Sequence, residues 1–291
     1  LHLSLRRQRQ MCIRDRDKSV LINDSIDYIL SHLEEPITIA DVADHLSYSK
    51  YYFCRMFKDV TGESVYSFIK RVKLEQSAID LKIKREKQIS QIGLDYGYSA
   101  SNYSSVFREM YDQSPIKFRK SVQANTIQNP FDSQKQEHLS SYEEYQEKIQ
   151  IREVNHLFVV YKRQIGNYIE LKQEWASFIA ENAYYDESVI LMEKYYSDPS
   201  VALEDHSICD LCFTVDEAFD AENTKQIKGG RCAVFPFQGA IEDIFSAIQG
   251  LFTIWLPQSK YQMSKKYGLN IYRNIDWEVG YVQMDICIPI K

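Results

Sequence analysis

Ile39-Ala-Asp-Val-Ala-Asp-His-Leu-Ser-Tyr-Ser-Lys-Tyr-Tyr-Phe-Cys-Arg-Met-Phe-Lys58 and Ile92-Gly-Leu-Asp-Tyr-Gly-Tyr-Ser-Ala-Ser-Asn-Tyr-Ser-Ser-Val-Phe-Arg108 carry one pattern twice. Each copy starts with a short helix bearing a small residue on its inner face, Ala43 or Gly93. Each turns at a Tyr-Ser pair (Tyr48-Ser49, Tyr98-Ser99) and closes on a helix ending in Phe57-Lys58 or Phe107-Arg108. Thr38 and Asp41 have the spacing of an N-terminal capping pair, and Ser49 can cap the second helix. Phe53 with Phe57, and Tyr103 with Phe107, repeat at i, i+4 and give each second helix one buried stripe. The opposite face then offers Tyr51, Tyr52, Cys54, Arg55 and Lys58 in the first copy, and Ser101, Asn102, Ser105 and Arg108 in the second. Two short helices joined by a tight turn, the second with an exposed polar face, is helix-turn-helix geometry. Between the copies, Val65, Phe68, Ile69, Val72, Ala78, Ile79 and Leu81 recur at helical spacing and predict a linking helix.

At these residues the sequence resembles the AraC/XylS family of transcription regulators. The resemblance rests on Tyr-Ser-x-x-x-Phe-x-Arg-x-Phe-Lys at 48–58, on Thr61-Gly62, and on Ser114-Pro115-x-x-Phe118-Arg119 after the second unit. It covers about one hundred residues and implies that the two recognition helices enter successive major grooves of double-stranded promoter DNA. Tyr51, Cys54 and Arg55 then fall where the first helix reads bases, and Ser101, Asn102 and Ser105 at the matching places in the second. For Cys54, packing beside the helix is nearly as good a reading as base contact.

Two departures make the units unequal. Anchored on Phe107, the turn before the second recognition helix reads one residue short, and Ser105 stands where Arg is frequent. A bidentate Arg–guanine contact contributes ~1–3 kcal/mol of discrimination. The first unit, through Arg55, is therefore expected to carry most direct readout, and the second to bind through phosphate and DNA shape. Ser47 also replaces the usual turn glycine.

Charge is distributed to match this division only in part. Residues 18–121 are nearly neutral at a net +1, whereas 122–291 carry a net −10. Any DNA footprint must come from local clustering, because the acidic second half repels DNA. Residues 1–16 (LHLSLRRQRQMCIRDR) resemble translated adaptor sequence, with a basic DNA-binding arm as the rival reading. No apolar run has the length of a membrane span, and six scattered cysteines suit a reducing cytoplasm.

Residues 122–148, rich in Gln, Asn and Ser, read as a linker with a short helix at Ser141–Lys148. From Ile149 the pattern changes to α+β. A strand at His156–Gln164, a helix at Tyr168–Glu181 and strands at Val189–Tyr196 and Cys209–Val215 form one set. A strand at Arg231–Phe237 ended by Gly239, a helix at Ile241–Trp255 and strands at Leu269–Arg273 and Gly280–Ile288 form a second. Two strand-helix-strand-strand repeats predict a pseudo-symmetric domain at 149–291 with a shared cleft.

This half resembles the GyrI-like effector-binding domain. The matching stretches are Ile165-Gly-Asn-Tyr168, Tyr195-Tyr-Ser-Asp-Pro199, Gly229-Gly-Arg-Cys-Ala-Val-Phe235, Trp255-Leu-Pro257 and Asp285-Ile-Cys-Ile-Pro289. The resemblance implies a cleft lined by aromatic rings, often with a buried Glu that pairs with a cationic ligand. Tyr168, Tyr195, Phe235, Trp255, Tyr261 and Tyr272 are the expected aromatic wall, and each could equally be core. Asn270 falls where relatives carry the Glu, which puts charge pairing in doubt and ranks catalysis below sensing.

Cys209-x-x-Cys212 invites a metal or redox reading, but on a strand residues three apart face opposite ways. No cofactor, metal or catalytic set is expected. The expected partners are promoter DNA, RNA polymerase and a small amphiphilic or aromatic, cationic effector, without a membrane. A hydrolase or sequestering role for the C-terminal domain is the alternative.

Overall fold

The computed structural model describes residues 18–291 apart from 123–125, 130–131, 183–184, 187, 203–204, 220 and 222, with backbone alone for 126–129 and 132–137. Both readings of residues 1–16 lie outside the described residues. The chain divides between Lys73 and Leu74 into two compact units, the second holding Leu74–Phe219 and Thr224–Lys291.

The first unit opens with helix α1 (Lys18–Ser31), whose Leu21, Ile22, Ile26 and Ile29 are buried. Helix α2 (Ile39–His45) starts at the capping box that Thr38 and Asp41 form. Helix α3 (Lys50–Thr61) is capped by Ser49 and stopped by Gly62 at φ 78°. Phe53 and Phe57 are fully buried, and Phe57 meets Phe68 of helix α4 (Val65–Ile83) edge-on at 5.2 Å. Arg71 pairs with Glu63 at 2.5 Å, and Lys73 Nζ donates to the Glu35 carbonyl at 3.0 Å.

The second unit takes up the remainder of α4, then α5 (Ile89–Asp95), α6 (Ala100–Tyr111) and α7 (Pro115–Ser121). Here the structure corrects the sequence reading. α5 and α6 begin and end fifty residues after α2 and fifty after α3's start, so the two turns have equal length. The second copy starts at Ile89, three residues before the stretch quoted above, and Gln88 provides no side-chain cap to signal it. Ser47 and Gly97 occupy the same left-handed turn position, at φ 61° and 83°. Gly93 is needed for another reason: a Cβ there would lie 2.7 Å from the Tyr103 ring.

The stretch read as a linker holds more structure than expected. Strands β1 (Thr126–Asn129) and β2 (Asp132–His138) pair as an antiparallel hairpin, and helix α8 (Tyr142–Lys148) follows a capping box of Ser141 and Glu144.

The rest is an eight-stranded sheet of β3 (Gln150–Val154), β4 (Leu157–Gly166), β5 (Leu191–Tyr195), β6 (Ser207–Val215), β7 (Thr224–Ile227), β8 (Gly230–Ala240), β9 (Gly268–Asp276) and β10 (Tyr281–Pro289). Their order is β3-β8-β10-β9-β5-β6-β4-β7, all antiparallel. The two repeats are present as β4-α9-β5-β6 and β8-α10-β9-β10, where α9 is Leu171–Glu181 and α10 is Ile244–Gly250. The sequence reading missed β3 and β7. Each precedes the first strand of its own repeat and pairs with the first strand of the other, β3 with β8 and β7 with β4. Gly239 lies inside β8 instead of ending it. The second helix does not run evenly either: after α10 it widens to a π-helical turn over Leu251–Trp255. Cys209 and Cys212 point to opposite faces of the sheet, and burial pushes both thiols up.

Candidate functional site

The predicted DNA-contacting residues form one exposed face on each recognition helix. On α3, Tyr51, Tyr52, Arg55 and Lys58 are exposed and Cys54 is half-buried. Tyr51 is 80% exposed, far more than a ring kept only for packing. Tyr52 stacks on Tyr48 at 5.3 Å. On α6, Ser101, Asn102, Ser105 and Arg108 are exposed at positions fifty residues on from Tyr51, Tyr52, Arg55 and Lys58. Ser105 Oγ donates back to the Ser101 carbonyl at 3.3 Å, so its hydroxyl is partly engaged by its own helix. The exposed cationic side chains at the predicted positions therefore differ in number: Arg55 and Lys58 on one face, Arg108 alone on the other.

A cavity of about 480 Å3 lies over the helix-bearing face of the sheet, between α9 and α10. Four predicted residues line it: Tyr168, Tyr195, Asn270 and Tyr272. Phe235, Trp255 and Tyr261 do not. Phe235 packs against Tyr145 of α8 at 5.6 Å between ring centres. Trp255, fully buried, stacks on Tyr261 and donates its indole N–H to Gln146 Oε1 at 3.0 Å. The π-helical turn changes the phase of the helix, so Phe252 lines the cavity while Trp255 is turned toward α8.

The residue that sequence reasoning missed is Glu193. It lies on β5, directly opposite Asn270 of β9, where the two repeats join. The two positions are equivalent under the exchange of repeats, so the carboxylate absent at Asn270 is present on the other side of the junction. Glu193 is 5% exposed and accepts three hydrogen bonds. Trp175 Nε1 donates at 3.0 Å, Tyr272 Oη at 2.6 Å and Asn270 Nδ2 at 3.0 Å. Among the described residues, no Lys or Arg pairs with it. Burial pushes the Tyr272 phenol well up, and the neighbouring Glu193 carboxylate adds to the effect, so Tyr272 stays a neutral donor. Burial does the same to Tyr168.

The walls are aromatic and aliphatic, with Trp175 from α9 and Phe245, Ile248 and Phe252 from the second helix. A buried carboxylate held by neutral donors, beneath aromatic faces, has the chemistry to accept a positive charge.

Comparison with known proteins places both halves. Residues 42–121 match the model of a helix-turn-helix domain. The regulatory protein SoxS of Escherichia coli K12 is 36% identical over 100 residues, which cover 34% of this chain and 92% of SoxS. The chain belongs to the AraC/XylS family of transcription regulators. In this regulator, residues 147–291 match the GyrI-like small molecule binding domain. The transcriptional regulator Rob of Salmonella typhimurium is 32% identical over 106 residues, and the matched region spans 36% of Rob's length. The crystal structure of the EcmrR C-terminal domain aligns over 49% of this chain and 96% of its own, at 14% identity and a TM-score of 0.38. No helix of the described residues is long and apolar enough to cross a membrane.

Proposed function

We propose that this regulator binds promoter DNA mainly through α3 and senses a small amphiphilic cation in the cavity above Glu193. Base readout falls to Arg55, with Tyr51 and Cys54 beside it. Lys58 and Arg108 take phosphates, and Ser101, Asn102 and Ser105 make the weaker contacts of α6. Bound to its promoter, the protein recruits or blocks RNA polymerase, and it works in the cytoplasm.

The observation that carries the ligand reading is Glu193, buried in the cavity without a cation of its own. Its three neutral donors hold it in place, and an entering cation supplies the missing partner. Stacking over Tyr168, Trp175 and Tyr272 adds ~0.5–2 kcal/mol per face. Isothermal titration of decyltrimethylammonium against neutral 1-decanol tests this. The cation binds at least tenfold more tightly; equal affinity contradicts the assignment.

Glu193 also reopens the alternative of hydrolysis, because the cavity does hold a carboxylate beside a tyrosine. A carboxylate offers about four acceptor positions, and here three are taken. That leaves little access for a water to be activated, and sensing is the better reading. Turnover of a bound ester would favour the alternative.

A further inference from the structure

The cavity wall includes residues outside the GyrI-like domain. Gln76 and Ile79 of the linking helix α4 line it together with Ser197, Asp198 and Pro199 at the end of β5, and Lys266 before β9. Two of these, Asp198 and Lys266, also bond the helix-turn-helix region, as do the neighbouring Tyr196 and Ser200. Gln76 Nε2 donates to the Tyr196 carbonyl at 2.8 Å. Lys82, only 3% exposed, donates to Asp198 Oδ2 at 2.8 Å and to Ser200 Oγ at 3.0 Å, and also bonds Gln249. Gln249 Nε2 closes the ring by donating to Asp198 Oδ1 at 2.7 Å. Burial alone would raise the Asp198 carboxyl, but the Lys82 ammonium outweighs it and the group titrates below its ordinary value.

The second attachment reaches the reading turn itself. Lys266 Nζ donates to Tyr96 Oη at 2.9 Å and lies 3.3 Å from Asp80 Oδ2. Tyr96 Oη in turn donates to Asp80 at 2.9 Å. Tyr96 is the C-cap of α5, three residues before the Ser99 cap of recognition helix α6. Tyr103 on α6 donates to Ser77 Oγ of α4 at 3.0 Å. Thus the segments that bound the cavity are bonded, within the same compact unit, to both helices of the second helix-turn-helix.

We infer that the ligand site is completed by the linking helix of the DNA-binding half, so that ligand occupancy is coupled to the second helix-turn-helix through Lys82–Asp198 and Lys266–Asp80–Tyr96. This rests on the reading of the cavity as a ligand site. A ligand that displaces Ser197–Pro199 must carry α4 with it or leave the Lys82 ammonium buried without its carboxylate, which is strongly disfavoured. By linkage, whatever α4 and α6 gain on DNA is returned as a change in ligand affinity.

The test uses the full-length chain and decyltrimethylammonium. Calorimetry is run on the wild type, Ile79→Val and Tyr96→Phe, and hydrogen exchange is followed with and without the cation. Coupling predicts slowed exchange at residues 76–83 and 93–103 as well as in the sheet. Loss of one methylene in Ile79→Val lowers affinity by about two- to fourfold. Tyr96→Phe reduces the protection at 93–103. Binding with protection confined to 149–291, and an affinity indifferent to Ile79, overturns the coupling and leaves the ligand reading standing. Absence of binding overturns the ligand reading and this inference with it.

Discussion

Glu193 and Asn270 face each other across the β5–β9 junction, with the Asn270 amide donating to the Glu193 carboxylate at 3.0 Å. Because the junction relates the two repeats, a single acid serves a site that either repeat could have supplied. Glu193→Gln keeps the shape and removes the charge. Rotation of the Asn270 amide lets its oxygen accept from the new Gln NH2, so stability is unchanged or slightly raised. Affinity for decyltrimethylammonium falls about 10- to 100-fold, the loss of a charge-assisted contact of ~1.5–3 kcal/mol. Calorimetry beside a melting curve separates the two effects, and unaltered affinity would show that Glu193 does not hold the cation.

The equivalence of the two positions can be tested by moving the charge. Glu193→Asn loses cation binding, and adding Asn270→Glu restores part of it. No recovery in a double variant that folds, as judged by its melting curve, would mean that the repeats are alike in backbone only.

Much of the double helix-turn-helix is legible in the sequence because its signals are local. Thr38 with Asp41, Ser49, and the paired rings at 53/57 and 103/107 each act within one or two helical turns. The start of α5 is not legible in the sequence because Gln88 offers no cap and Gly97, not a serine, marks the turn. In the sensor half the long strands declare themselves, whereas β3 and β7 do not. Gln150-Ile-Arg-Glu-Val and Thr224-Lys-Gln-Ile are short and half polar, and exist because the opposite repeat offers an edge to pair with. Glu193 is hidden for a similar reason: beside Lys194 it reads as solvated, and only its place between β6 and β9 beneath Trp175 buries it.

Ser47 holds a left-handed conformation that its Cβ disfavours by ~1–2 kcal/mol, whereas the second turn uses Gly97. Ser47→Gly relieves the strain against a larger entropy loss, for a net gain of ~0.5–1 kcal/mol. A rise in Tm of the first unit checks it; a fall would mean that the Ser47 side chain makes a contact worth more than the strain.

On the sheet face away from the cavity, Asp210 is wholly buried and accepts from Arg163 Nε at 2.7 Å and from Tyr196 Oη at 3.0 Å, with Lys225 also paired to it. Burial works to raise this carboxyl; the Arg163 guanidinium and then the Lys225 ammonium overcome it and hold the group well below the usual carboxylate range. The unfolded chain takes up this proton near pH 4 and the folded chain does not. The pair's stabilisation is therefore complete above about pH 4 and is lost as pH falls toward the folded value. Asp210→Asn leaves two cations uncompensated, destabilises the protein at pH 7 by ~3–5 kcal/mol and flattens its acid dependence. Wild-type stability in this variant at pH 7 would contradict the role given to the pair.

The inequality of the two recognition faces predicts unequal consequences. Arg55→Ala costs ~1–3 kcal/mol on the preferred sequence and much less on scrambled DNA, whereas Lys58→Ala weakens both alike and lowers the salt slope by about one. Uniform weakening by Arg55→Ala would confine Arg55 to phosphate.

The most direct measurement is the affinity of the full-length regulator for DNA from upstream of its own gene and for a scrambled duplex, at fixed salt, with and without saturating decyltrimethylammonium. The account predicts at least ~10^3-fold preference for the upstream DNA, and a change of about 5- to 150-fold in that affinity when the cation is bound. Equal affinity for the two duplexes, or an affinity that the bound cation leaves unchanged, would contradict it.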